Sequence, residues 1–277
     1  MQDTIEDIEL RLLLEAIYHK YHSDFRNYAM ASIKRRMSKA CEDFNCSSYS
    51  MLQDVILRDD KVAHKILSYL TVQVTEMFRN PSYFKAIREE VIPHLKTYPS
   101  LKVWVAGCST GEELYSLMIL FYEEGILERT IFYGTDISSE ALEVAEKGIY
   151  STQKIKEYSK NYHDAGGKGS LSDYYTAAYG KAVFFKDLKK YAVFSDHSLV
   201  TDNVFAEVHL VSCRNVLIYF NRDLQDRAFG LFEGALRYNG FLGLGAKETI
   251  HFSKHANEFT DFNRNEKIYQ KKPERVT

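Results

Sequence analysis

The sequence predicts an α/β protein whose largely parallel sheet carries a small antiparallel insertion, preceded by an all-α N-terminal domain. Three observations predict it. Apolar residues recur at helical spacing through residues 1–70, short apolar runs alternate with helical stretches from Leu101 onward, and three strand-like runs cluster between Tyr174 and Ser195. The length agrees, since 277 residues at about 150 per domain make about two domains. The expected boundaries are 1–72 for the helical domain and 73–277 for the sheet domain, with the insertion at about 171–195.

In the helical domain, Ile8, Leu12 and Ala16 mark one helix, and Phe25, Tyr28, Ile33, Met37 and Ala40 a second. Ser23 or Asp24 is the expected cap of the second helix and Ser48 of a third, with Arg58-Asp-Asp-Lys61 separating a fourth. Asn80-Pro81 starts a helix expected to reach about His94. Then Lys102–Ala106 reads as a buried strand, 112–124 as a helix, Ile131–Thr135 as a strand and Ser138–Lys147 as a helix, the alternation of a covered parallel sheet. A connection of more than 20 residues follows Tyr150. Tyr174–Tyr179, Ala182–Lys186 and Tyr191–Ser195 are expected to form the insertion, turning first at Tyr179-Gly-Lys181. A strand at Glu207–Ser212, a helix at Arg222–Leu236, a strand at Gly240–Leu244 and an antiparallel pair around Asn263 complete the pattern.

Composition narrows the function. Hydrophobic residues at 45%, charged residues at 27% and only four prolines describe an ordered globular chain. With 36 basic against 38 acidic residues the net charge is −2, so no global basic field recruits nucleic acid or anionic membrane. The acidic N-terminus lacks the pattern of a secretory signal, and no apolar run approaches the roughly 20 residues that span a bilayer. A cytoplasmic location is expected. Cys41, Cys46, Cys108 and Cys213 form no C-x-x-C pair, which predicts reduced thiols and no metal cluster. His251 and His255 have a metal-pair spacing, but no glutamate follows the first and no third ligand is evident, so packing or surface roles are expected.

Val103-Trp-Val-Ala-Gly107-Cys-Ser-Thr-Gly111-Glu-Glu113 is a strand, a small-residue turn and a helix start. Glycines there let backbone approach a ligand closely, and the helix N-terminus offers unpaired N–H groups. G-x-x-x-G departs from the dinucleotide pattern G-x-G-x-x-G, and Glu112-Glu113 disfavours an anionic ligand. Asp136 ends the next strand about 25 residues on, where a carboxylate either accepts ribose hydroxyls or caps a helix. Glycine turn, carboxylate and preference for a cation together suggest S-adenosylmethionine.

Four blocks resemble the chemotaxis receptor methyltransferases (CheR), S-adenosylmethionine-dependent protein-glutamate O-methyltransferases. They are Val74-Thr-Glu-Met-Phe-Arg79-Asn-Pro, Val103–Glu113, Thr135-Asp-Ile137 and Ser212-Cys-Arg-Asn215-Val-Leu-Ile-Tyr219-Phe-Asn. The resemblance covers almost the whole chain and implies a class I, Rossmann-like methyltransferase sheet. It implies cofactor contacts at Gln73, Thr75, Arg79, Gly107, Glu113, Asp136, Arg214 and Asn215, and at Ser198 and Leu199 in the loop after the last insertion strand. It places Arg79 and Tyr219 nearest the reacting groups. Gln73 and Ser198 stand where the family commonly has asparagine, and Leu114 where it has proline, which alters hydrogen-bonding reach at the first two and the helix start at the third.

The resemblance further implies a chemoreceptor or related sensory protein as substrate, its methylation helices recognised through the helical domain. Arg26, Lys34, Arg35, Arg36 and Lys39 are the expected contacts, since no acidic residue lies between Arg26 and Lys39. A receptor C-terminal peptide at the insertion is a further possible contact, nucleic acid is not expected, and a monomer is. One competing reading is a methyltransferase acting on nucleic acid or a small molecule; amino-methylating enzymes of this fold often carry an Asn/Asp-Pro-Pro-aromatic block after the fourth strand, where Cys213-Arg-Asn-Val216 stands here, which disfavours it. The other competing reading, a cofactor-binding sensor without turnover, is opposed by Arg79, Asp136 and Tyr219.

Overall fold

The structure is a computed structural model describing residues 4–71, 75–184 and 186–274. It divides into two compact units, Met1–Val72 with Ile218–Arg227, and Gln73–Leu217 with Ala228–Thr277.

The first unit holds α1 (Ile5–Tyr21), α2 (Met30–Asp43), α3 (Tyr49–Arg58) and α4 (Asp60–Leu70). Thr4 and Asp7 cap α1 reciprocally, Ser48 caps α3, and the Asp59 carboxylate accepts from the Lys61 and Val62 amides at the start of α4. Two apolar rows compete on α1. Leu10, Leu13, Leu14 and Ile17 form the buried stripe, leaving Ile8 and Leu12 about half exposed, because the first row has the wider i, i+3, i+4, i+7 face. The second helix begins at Met30 after Ala29, without a side-chain cap, so neither Ser23 nor Asp24 caps it and Arg26 precedes it. Ile218–Arg227 packs in this unit: Phe220 bridges to Tyr28, Ala29 N donates to Tyr219 O at 2.7 Å, and Asn221 N to Asn27 O at 3.0 Å.

The second unit begins with α5 (Pro81–Ala86), which continues through a wide π-turn (Ile87–Val91) into α6 (Ile92–Leu95). There follow β1 (Leu101–Ala106), α7 (Glu112–Glu123), β2 (Thr130–Asp136), α8 (Ser139–Lys147), β3 (Ile149–Ser151), α9 (Thr152–Asp164), β4 (Tyr175–Ala178), β5 (Lys181–Phe184), α10 (Lys186–Lys189) and β6 (Ala192–Asp196). The chain ends with β7 (Val208–Cys213), α11 (Arg222–Ala235), β8 (Leu236–Leu244), β9 (Phe259–Asn263) and β10 (Ile268–Lys271). A seven-stranded sheet runs β6-β2-β1-β7-β8-β10-β9, parallel from β6 to β8 and antiparallel at β10 and β9.

Two expectations are corrected here. The stretch after Tyr150 is largely helical, α9 burying Ile155, Tyr158 and Tyr162. The small antiparallel sheet has the order β3-β5-β4, so its third strand is Ile149–Ser151, whereas Ala192–Asp196 pairs parallel with β2 in the main sheet. The order of the main sheet reverses between β1 and β7, and loops at the carboxyl ends of strands beside such a reversal form a crevice suited to ligands.

Candidate functional site

The loops after β1, β2, β6 and β7 carry most of the candidate residues. After β1, Gly107 N and Cys108 N both donate to Thr135 O, at 2.8 and 2.9 Å, folding the turn against the end of β2. Gly107 (φ 71°), Ser109 (φ 50°) and Gly111 (φ 93°) adopt the left-handed conformation. A Cβ on Gly107 would lie 2.5 Å from Val216 Cγ2, so the close approach of the loops after β1 and β7 requires glycine as well as the dihedral does. Asp136 joins two loops: its carboxylate accepts from Ser109 N at 2.8 Å and Ser138 N at 3.0 Å. Burial raises its pKa, opposed by the amides of Ser138, Ser109 and Ile137. An ionised carboxylate accepts about four hydrogen bonds, so these three amides leave capacity for a ligand hydroxyl.

Glu112 and Glu113 diverge. The buried Glu112 accepts from Thr110 Oγ1 at 2.5 Å and Tyr158 OH at 3.3 Å, and burial raises its pKa. Glu113 instead accepts from Ser212 Oγ at 2.7 Å and Arg214 Nη1 at 3.2 Å. The adjacent carboxylates therefore do not act as one acidic pair, because neighbouring residues on a helix point about 100° apart.

Arg214 is the hub of the site. Its guanidinium, 1% exposed, pairs with Glu113, donates to Arg79 O at 2.9 Å and Asn80 Oδ1 at 3.0 Å, and lies 4.0 Å above the Tyr83 ring. The planar fork links three of the sequence blocks, a geometry that lysine does not reproduce. The backbone turns sharply where Arg214 grips it, with Phe78 and Asn80 at φ 53° and 58°. The next residue, Asn215, is also left-handed at φ 61°, and its N–H donates to Glu248 Oε2 at 3.0 Å, which Gly245 N also reaches at 2.6 Å. Ser198 Oγ accepts from the amides of Val200 and Thr201 at 3.2 and 3.3 Å, so that hydroxyl caps its own loop, while Leu199 beside it is buried. Thr75 and Arg79 are half-buried, and Gln73 lies outside the described residues.

Tyr219 belongs to the helical unit, where the Arg36 guanidinium lies 4.5 Å from its ring centre. Arg36 also donates to Leu70 O at 2.7 Å, and burial lowers its pKa. The other cations of this stretch are mostly matched within the unit: Arg26 by Asp24 and Glu15, Lys34 by Asp7, Lys39 by Glu42 and Asp43. Arg35 is exposed at a shallow depression that Arg36, Ser38, Lys39, Glu42 and Tyr69 also line.

Among known proteins, the family description "CheR methyltransferase, SAM binding domain" matches residues 73–268 and "CheR methyltransferase, all-alpha domain" residues 8–71. The chain belongs to the CheR methyltransferase family. The Pseudomonas putida protein Cher3 is 55% identical over 96% of this chain and 97% of its own length. A chemotaxis protein methyltransferase of Listeria monocytogenes is 28% identical over 82% and 84%, and chemotaxis protein methyltransferase 1 of Vibrio cholerae is 26% identical over 79% and 80%.

As a CheR methyltransferase the protein uses S-adenosylmethionine, and the residues present fit that group. Asp136 and Glu113 place carboxylates beside the glycine turn, an acceptor chemistry that would suit hydroxyl and ammonium groups. Ser109 Oγ in that turn is buried with no hydrogen-bond partner among the described residues, a polar atom that a bound ligand would satisfy. Ser109, Ser212, Tyr83 and Glu248 escaped the sequence reading. The first two lie inside the quoted blocks, Tyr83 just follows one, and Glu248 has no local signal. Cys108 and Cys213 are buried thiols whose pKa burial pushes well up, which suits packing. His251 and His255 face different carboxylates, Asp261 and Glu233, at 3.2 and 2.5 Å. Among the described residues no group of three or more His, Cys, Asp or Glu could hold a metal, and no helix is long and apolar enough to cross a membrane.

Proposed function

We propose that this methyltransferase esterifies glutamate side chains on the cytoplasmic methylation helices of a chemoreceptor or related sensory protein. The observation that carries the reading is the joint match of both CheR domains, supported by Cys213-Arg-Asn-Val216 where an amine-methylating enzyme of this fold often holds a neutral nitrogen. The relatives named chemotaxis protein methyltransferase support the same class of substrate.

When bound, S-adenosylmethionine supplies an electrophilic methyl on a sulfonium. A glutamate carboxylate, with a pKa near 4.3, is already ionised at neutral pH, so no side chain has to remove a proton. The protein's work is alignment and exclusion of water. Arg79 holds the incoming carboxylate with its forked donors, while Arg214 fixes the backbone from which Arg79 projects. Glu113 and Asp136 would take the ammonium and a ribose hydroxyl, and Gln73, Thr75, Arg79, Gly107, Ser198, Leu199, Arg214 and Asn215 would complete the cofactor contacts. Tyr219 guides the carboxylate, and Arg35 with its basic neighbours meets the acidic receptor helix. Each methylation removes one negative charge, relieving repulsion between neighbouring helices and biasing a two-state signalling element.

A receptor C-terminal peptide belongs to this reading at the small sheet, beside a cleft of about 400 Å³ lined by Lys147, Ile149, Tyr179 and Lys181. Its part is measured by comparing receptors with and without their last residues. The decisive test incubates the protein, methyl-labelled S-adenosylmethionine and membranes bearing chemoreceptors of the same organism, followed by alkali. Receptor-dependent volatile methanol is the expected result, and alkali-stable label would transfer the assignment to amine methylation.

A further inference from the structure

The glycine turn is gripped from two sides. On the sheet side Thr135 and Asp136 hold its first three amides. On the other side the support comes from elements that lie well beyond it in sequence. Tyr150 on β3 donates its hydroxyl to Thr110 O at 2.8 Å. Tyr158 on α9 donates to Glu112 Oε1 at 3.3 Å, and Glu112 Oε2 takes the Thr110 hydroxyl at 2.5 Å.

Both tyrosines are buried, and the Tyr150 ring packs edge-on against Tyr115 and Phe184. Tyr150 also sits close beneath Gly111, where an added Cβ would come within 3.1 Å of its hydroxyl. Ser109, one residue before Thr110, is a non-glycine residue at φ 50°, and such a conformation persists only where its surroundings over-determine it. The two hydroxyls are part of that determination.

We propose that Tyr150 and Tyr158 are positioning residues for the cofactor: through Thr110 and Glu112 they hold the turn in the shape that receives S-adenosylmethionine, so the small sheet and α9 help to set cofactor affinity. The inference goes beyond the proposed substrate and rests only on the family's cofactor.

Tyr174 supplies the control, because its hydroxyl also bonds a carboxylate, Glu123 Oε1 at 3.0 Å, but at the far end of α7. Calorimetric titration with S-adenosylhomocysteine compares Tyr150→Phe, Tyr158→Phe and Tyr174→Phe, all of which retain the ring, with circular dichroism confirming the fold. Each of the first two is expected to weaken binding about fivefold, as loss of one hydrogen bond predicts, and Tyr174→Phe to change it less than twofold. Amide exchange across residues 108–112 is expected to quicken in ligand-free Tyr150→Phe. Wild-type affinity in both Tyr150→Phe and Tyr158→Phe, an equal loss in Tyr174→Phe, or unchanged exchange in the turn would overturn the proposal. Because no receptor is present, failure here leaves the substrate reading standing.

Discussion

Arg79 and Arg214 divide the work of one motif between them. Arg214 is sealed under the site, its guanidinium bonded to Glu113, Asn80 and the Arg79 carbonyl. Arg79 is half-buried and is the residue proposed to meet substrate. Arg79→Ala is therefore expected to lose nearly all receptor methylation while remaining folded, and Tyr219→Phe to lose only part, measured as alkali-released methanol. Turnover near wild type in folded Arg79→Ala would remove Arg79 from its role. Glu112 permits a prediction in pH. Burial lifts its pKa above the ordinary 4.5, so below about pH 4.5 both folded and unfolded chains carry its proton and its ionisation costs the fold nothing. As pH rises, the unfolded chain ionises first and stability falls until the folded carboxyl has ionised too. Glutamine keeps a carbonyl acceptor, and the facing hydroxyls can rotate to accept as well as donate. Glu112→Gln should thus show a higher urea midpoint than wild type at pH 7, with the difference shrinking toward pH 4.5; a constant difference would mean that ionisation is not its source.

Elements with local signals were legible, and elements defined by distant partners were not. The turn from β1 into α7, the capped start of α3, the break between α3 and α4, and Asp136 at the end of β2 follow from residues adjacent in sequence. The helix α9 was hidden because its buried stripe consists of Ile155, Tyr158 and Tyr162 amid lysines, and tyrosines mark a core face weakly. Strand β6 looked like part of a meander because its pairing with β2 spans about 60 residues. The run of cations from Arg26 to Lys39 looked like an open basic face, since Asp7 and Glu15, on another helix, are brought to Lys34 and Arg26 only by packing. That packing sharpens the receptor test. Arg36→Glu would place a carboxylate against Tyr219 and the Leu70 carbonyl, disturbing the unit itself. The exposed Arg35 is cleaner: Arg35→Glu is expected to raise KM for receptor membranes several-fold while leaving S-adenosylhomocysteine binding unchanged, and an unchanged receptor KM would remove α2 from the docking surface.

The two units are not consecutive stretches of sequence, because Ile218–Arg227, coded deep within the sheet domain, is built into the helical unit. The sequence boundary at residue 73 shows where the helices end but not that a later segment returns to them, since its attachment is made by the backbone of Asn27 and Ala29 and the edge-on pair of Tyr28 and Phe220, at 4.9 Å between ring centres. Phe220 and Leu224 are each about 95% buried in the full chain. A chain starting at residue 73 lacks Asn27, Tyr28 and Ala29 and so leaves Phe220 without these partners, and exposed apolar surface of this kind promotes association. Residues 73–277 expressed alone are therefore expected to aggregate and bind a hydrophobic dye more strongly than the full chain. Replacing Phe220 and Leu224 by serine in that truncated chain should restore a monodisperse elution profile, whereas the same pair in the full chain should lower its melting temperature by removing buried apolar groups. If the unsubstituted truncated chain already elutes as a single monodisperse species without added dye binding, the 218–227 segment is stable without the helices, and its burial against Asn27, Tyr28 and Ala29 is not what keeps that surface from associating.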